Sequence, residues 1–314
     1  IHAFNGVPVH DCDENVQQIL SDLGFESMGD GERYIRGGVV DPMPRKKINR
    51  ILFHHHSLHQ KTRHENETIA LDHLDELRDD FALRGRCEMF RVDLKSMAAA
   101  HQLHQGTNLR GHLVWAKMPH FQRLLTIRNV QAPEEDEDIL QFFREHHDPA
   151  IYMERHAMRR GEFRKLISPL VRSGHLVQDY RGGFKTVEPI TSSDLWEVKR
   201  DFLRDLVKDY PVITLKQVER LAGSPFSAEE ISDVMREFEE DDTLIKGFLV
   251  DDMHDVCWGR HDMLENSDVL TKTRDLVIPP SDPLIHYYGS LLREKFGYGS
   301  AYLVFHREEP VAAF

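Results

Sequence analysis

The residues from Pro149 to Val187 constrain the fold more than any other stretch of this chain. A turn-prone opening leads into a helix in which Phe163, Leu166, Ile167, Leu170 and Val171 recur at offsets of three, four, seven and eight, so that they share one face. Arg159, Arg160, Arg164, Lys165 and Arg172 collect on the opposite face. Gly174 stands where a helix stops, because a left-handed residue just past the C-terminus costs glycine nothing. His175 to Tyr180 then reads as a strand, Arg181-Gly-Gly as a hairpin tip, and Phe184 to Val187 as the returning strand.

Helix, glycine stop and hairpin in that order predict a winged helix, whose last helix enters a DNA groove while the wing follows the backbone. From Glu154 to Arg172 six Arg or Lys stand against two Glu, within a chain of net charge −13. A nonspecific nucleic-acid binder is usually basic overall, since phosphate neutralisation supplies most of its affinity. Here the acid is segregated as well, into 134–138 and 237–242, so one basic face remains available to nucleic acid. The expected DNA contacts are Arg155, Arg159, Arg160, Arg164, Lys165 and Arg172 on the helical segment, with Arg181 and Lys185 on the wing.

The 314 residues predict an α+β chain, mostly helical, with tandem winged-helix domains and a small β-rich domain formed near the chain ends. Residues 1–40 read as a β/α element joining the C-terminal sheet. Residues 48–133 form a helical winged-helix-like domain, 134–190 a winged helix, 192–265 a second one, and 270–314 a β-rich terminal element. Asp41 to Lys47 is the linker candidate. Val92 to Gln105 and Leu109 to Phe121 are expected as a helical pair, with Leu113, Val114, Trp115 and Met118 in the core. In the second winged unit Leu195 to Lys208 is a helix, Thr214 caps a second, and Ser227-Ala-Glu-Glu230 has the spacing of a capping box opening a third. That third helix is acidic, which makes it a poor groove reader and suits a packing role.

Cys12, Cys87 and Cys257 are sparse and show no CxxC spacing, which argues against a disulfide framework or zinc ribbon and points to a cytoplasmic, nucleoid-associated protein. His54, His55, His56, His59 and His64 are conspicuous. Only His55 and His59 have the i, i+4 spacing of two ligands on one helix, and they bring no third, so exposed histidines on a polar face is the better reading and no metal or cofactor is expected. No apolar run approaches the roughly 18 residues of a membrane span, and no membrane partner is expected. The chain starts without Met and stops inside an expected strand, as a fragment of a longer protein would. The strand at Ile1 to Val9 is expected beside Ala301 to Phe314, within one chain or between two by swapping.

The tandem winged units, the segment Leu113-Val-Trp-Ala-Lys-Met-Pro-His-Phe121 and the segment Ile278-Pro-Pro-Ser-Asp-Pro-Leu284 together make the chain resemble the AlkZ/YcaQ-type winged-helix DNA glycosylase superfamily. The same fold forms the C-terminal region of large helicase-related proteins, and Asp242 to Phe248 with Val256 to Arg260 looks more like that branch. The resemblance covers residues 48–314. It implies double-stranded DNA as partner and excision of alkylated or crosslinked purines, with a Gln-x-Gln or Gln-x-Asp pair holding the attacking water. The second position of that pair falls on Gln105 and the first on Leu103, which cannot orient water. Gln105 is therefore the expected catalytic residue, with Gln102 or His104 as its helper.

Two readings from different classes follow: a DNA glycosylase for alkylated or crosslinked bases, or a noncatalytic winged-helix module such as a transcription regulator or helicase accessory domain. A protein-interaction role for the winged units, or an unrelated α+β enzyme, is a third. Expected partners beyond DNA are a helicase or a second copy joined through the terminal sheet.

Overall fold

A computed structural model describes residues 7–8, 25–27, 33–36, 45–55, 83–84, 86–87, 90–191, 194–208, 210–247, 256–265, 275–280, 282–297, 301–306 and 309–314. The chain is α+β, with helices packed on several small antiparallel sheets. Three short strands come first: β1 (Val7–Pro8), β2 (Phe25–Ser27) and β3 (Arg33–Arg36), in the order β1-β3-β2. Helix α1 (Arg45–His55) begins within the expected linker, and Leu83, Arg84, Arg86, Cys87 and Phe90 are also helical. Then come α2 (Leu94–Ala100), β4 (His104–Thr107), β5 (Leu113–Ala116) and α3 (Met118–Arg128). The basic region comprises α4 (Glu137–Glu145), α5 (Pro149–Arg155), α6 (Arg160–Ser173), β6 (Leu176–Asp179) and β7 (Phe184–Thr186). Among the described residues, no helix is long and apolar enough to cross a membrane.

The helix expected from Leu109 to Phe121 is instead a hairpin followed by a helix. Gly106 and β-branched Thr107 are poor helix formers, and Asn108 closes the turn after them. Its side-chain oxygen accepts the N–H groups of Arg110 and His112, and Gly111 takes the positive φ of 78° that the turn requires. Pro119 sits in the first turn of α3, where its missing N–H costs nothing. Leu113, expected in the core, is 45% exposed at the mouth of this hairpin, whereas Val114 and Trp115 are buried.

Strand β4 pairs on its other side with β6, giving one four-stranded sheet in the order β5-β4-β6-β7. One face of this sheet meets α3. At Gly106 an added Cβ would lie 2.6 Å from a ring carbon of Phe121 and 2.8 Å from a methyl of Val177. Both neighbours are held in the core, so Gly106→Ala should lower unfolding stability by about 1–3 kcal/mol through overpacking. Urea denaturation measures this, and an unchanged midpoint would mean that α3 moves freely over the sheet.

The second half holds α7 (Leu195–Lys208), β8 (Val212–Thr214), α8 (Leu215–Ala222), α9 (Ala228–Glu240), β9 (Leu244–Gly247) and β10 (Cys257–Arg260). Thr214 and Ser227 each cap the helix that follows, with Gln217 and Glu230 completing reciprocal capping boxes. The strands order as β8-β10-β9. Residues 248–255, between β9 and β10, lie outside the described residues. The acid of α9 is answered from α7: Lys199 pairs with Glu230 at 2.7 Å, and Arg204 and Arg200 reach Glu237 at 2.6 and 3.5 Å.

After α10 (His261–Glu265) the chain forms β11 (Leu276–Ile278), a 3-10 turn (Pro283–Tyr288), α11 (Gly289–Phe296), β12 (Leu303–His306) and β13 (Glu309–Ala313). Strand β12 lies between β11 and β13, and β1 pairs with β3 in a sheet of its own. Within the described residues, the expected union of 1–9 with 301–314 is therefore replaced by two separate sheets. Residues 2–4 lie outside the described set, as do His56, His59 and His64.

Buried polar contacts tie residues 282–288 to α1 and to Arg86. Arg86 meets Asp282 at 2.7 and 2.9 Å with 2% and 0% exposure, and the Tyr288 hydroxyl donates to Asn49 at 2.7 Å. Phe53 and Tyr288 both meet the ring of Phe305 edge-on.

Candidate nucleic-acid interface and amide row

Helix α6 buries Phe163, Ile167 and Leu170, with Leu166 and Val171 half-buried beside them, against α4, α5, Leu176 and Phe184. Its opposite face is open, and Arg160, Arg164, Lys165 and Arg172 are exposed on it. Arg159 is the N-cap. Glu162 accepts its backbone N–H at 2.8 Å, while the arginine side chain has no acceptor to return the bond. Arg155 is exposed at the end of α5, and Arg181 is exposed at the hairpin tip over the ring of Tyr180. None of these basic groups forms an ion pair among the described residues, in contrast to the paired cations of α7. Lys185 stands apart, half-buried on the other face of the sheet, beside His104.

Adjacent residues of a strand point to opposite faces, and this separates the expected catalytic residues. Gly106 meets Phe121, so His104 and Gly106 face α3. Gln105 and Thr107 face α6, since the Thr107 hydroxyl lies 3.0 and 3.1 Å from the carbonyls of Val171 and Arg172. His104 is buried, and its Nδ1 has no hydrogen-bond partner among the described residues. Burial, with help from Lys185, holds its pKa below the ordinary histidine value, while Asp179 opposes the shift. Gln102 is exposed in the left-handed region (φ 53°) just past the C-terminus of α2. His104 thus cannot share a water with Gln105, and Gln102 lies before the strand. Leu103 is buried in a separate apolar cluster with Met97 and Trp115.

The residue brought beside Gln105 is one that the sequence did not single out. Gln178 of β6 is its directly opposed partner, Trp115 of β5 opposes it on the other side, and Phe184 of β7 opposes Gln178. Directly opposed side chains share a face at Cβ separations of about 4.5–5.5 Å. The row across the four strands reads Trp115, Gln105, Gln178, Phe184. Its two ends are buried in different apolar clusters and its two amides are half-exposed between them. Gln178 is steadied by donating to the Gly182 carbonyl at 3.3 Å.

Helix α6 is fixed to this row through its C-terminus. Gly174 adopts φ 89° and closes the helix. Arg128, at the end of α3, donates to the carbonyls of Thr107 (2.9 Å), Asn108 (2.5 Å) and Ser173 (3.2 Å). Neither Arg128 nor Thr107 carried a signal in the sequence, because their partners lie 20 to 65 positions away. No group of three metal-binding side chains occurs among the described residues.

This architecture is an AlkZ/YcaQ-type fold. The DNA glycosylase AlkZ of Streptomyces sahachiroi is similar in structure, with a TM-score of 0.54 over 87% of this chain and 88% of that one, at 13% sequence identity. No protein-family sequence pattern matches the chain, and no curated protein matches it.

Proposed function

We propose that this protein is a DNA glycosylase that releases alkylated or crosslinked purines from duplex DNA, and that Gln105 and Gln178 hold the attacking water between them. The observation that carries the reading is the opposed amide pair, half-exposed between two apolar clusters on the sheet face that packs α6. In the hydrolysis the bond from C1′ to the base breaks, water oxygen bonds to C1′, and a water proton is released. The sugar becomes cationic in the transition state, and amide oxygens aimed at it and at the water stabilise that charge. A neutral amide is not a general base, so the chemistry suits a base that already carries positive charge, as an N-alkylated purine does, and departs neutral.

In this reading α4, α5, α6, β6 and β7 form a winged helix with its basic helix on DNA. The elements from α7 to β10 form a second, whose acidic helix is neutralised internally and serves to pack. Two exposed charges on α6 supply the test. The pair Arg160→Glu with Arg164→Glu should weaken binding to any duplex by about tenfold or more and flatten the dependence of log Kd on log salt by about 2. Fluorescence anisotropy at several salt concentrations measures both, and an unchanged slope removes α6 from the interface. The noncatalytic reading is favoured by Leu103, which stands buried where the resembled family carries its first amide. Duplex binding without release of any alkylated base would select it.

A further inference from the structure

We propose that Arg128 is a positioning residue that couples helix α6 to the strand carrying Gln105, so that docking of α6 on DNA sets the place of the amide pair. The proposal rests on the glycosylase reading only for its catalytic consequence. The guanidinium sits between two sets of carbonyls that belong to different elements. Thr107 and Asn108 end strand β4, and Ser173 ends α6. No carboxylate pairs with it among the described residues, and burial lowers its affinity for its proton, yet an arginine stays charged. Its partners are neutral oxygens, and one of them, the Ser173 carbonyl, lies at the negative end of α6, where a cation is favoured.

The Thr107 hydroxyl bridges the same gap from the other side, shared between the carbonyls of Val171 and Arg172. Thr107 is two residues from Gln105 on the same face of β4, so whatever fixes Thr107 against α6 fixes Gln105 as well. Gly174 completes the device. A Cβ there would lie 2.1 Å from Nη1 of Arg128, so any side chain at 174 pushes the guanidinium out of its seat.

The test uses the whole protein with Arg128→Met, which keeps length and loses the donors, and Thr107→Val, which keeps shape and loses the hydroxyl. Without DNA, hydrogen exchange should quicken together in the peptides spanning 104–116 and 160–173 in either variant, while the thermal midpoint of the rest stays within a few degrees. Quickening confined to one of the two peptides would overturn the coupling. With DNA, wild type should protect both peptides and Arg128→Met only the helical one. Duplex Kd should stay within about twofold, and single-turnover release of an alkylated base should fall by about tenfold or more. Equal losses of binding and release, tracking the folded fraction, would make Arg128 merely structural and overturn the proposal. A wild type that binds and protects both peptides but releases no base would contradict the glycosylase reading and leave the coupling supported.

Discussion

Asp282→Ala should cost the fold about 3–5 kcal/mol, enough to leave a large share of the chain unfolded at 37 °C. Asp282 is wholly buried and holds Arg86 by two short bonds, while its Oδ1 also accepts the N–H of Leu284 at 3.0 Å. Truncation leaves the guanidinium of Arg86 without its carboxylate in a site where water does not reach it. The penalty is that of a buried charge losing its two short carboxylate bonds, and it exceeds the net worth of the pair. Replacing both partners, as Arg86→Met with Asp282→Leu, should restore most of the loss, because two apolar groups have no charge to strand. Urea denaturation of the three variants decides this. A single variant within about 1 kcal/mol of wild type would mean that Arg86 finds water or another acceptor.

Gln105→Ala and Gln178→Ala should each lower the rate of base release by about a hundredfold or more, the scale of losing one preorganised polar group at a developing charge. Duplex affinity should change little in either, because the basic residues of α6 are untouched. Since the two amides act on one water, the double variant should lose little more than either single one. His104→Ala belongs in the same series as a contrast. It faces α3, so its effect should fall on stability and leave the rate per folded molecule near wild type.

The parts of the fold that were legible in the sequence are those set by neighbours in the chain. The apolar stripe of α6, the glycine after it, the β6–β7 hairpin, the N-cap at Thr214 and the capping box at Ser227 all rest on contacts within a few residues. The site depends on contacts that do not. His104 to Thr107 is a strand because β5 and, about seventy residues on, β6 pair with it, whereas local spacing alone carried the expected helix through His104 and Gln105. Once the segment is a strand, the alternation of its side chains parts His104 from Gln105 and selects Gln178, whose own sequence context marks it only as one polar residue of a wing. The buried pair of Arg86 and Asp282 spans 196 positions, and Asp282 read as part of a loop motif until its partner was placed. At the ends of the chain, the described Val7 and Pro8 pair with β3, a partner that no local pattern marked.

The most direct test of the glycosylase assignment is single-turnover incubation of the wild-type protein with a duplex bearing one N-alkylated purine, scored as alkali-labile abasic sites and free base. Time-dependent release of the modified base, slowed by about a hundredfold or more in the Gln105→Ala protein that still binds the duplex, is the expected result. Tight duplex binding with no abasic site formed at any protein excess, for either an alkylated or a crosslinked base, would contradict it.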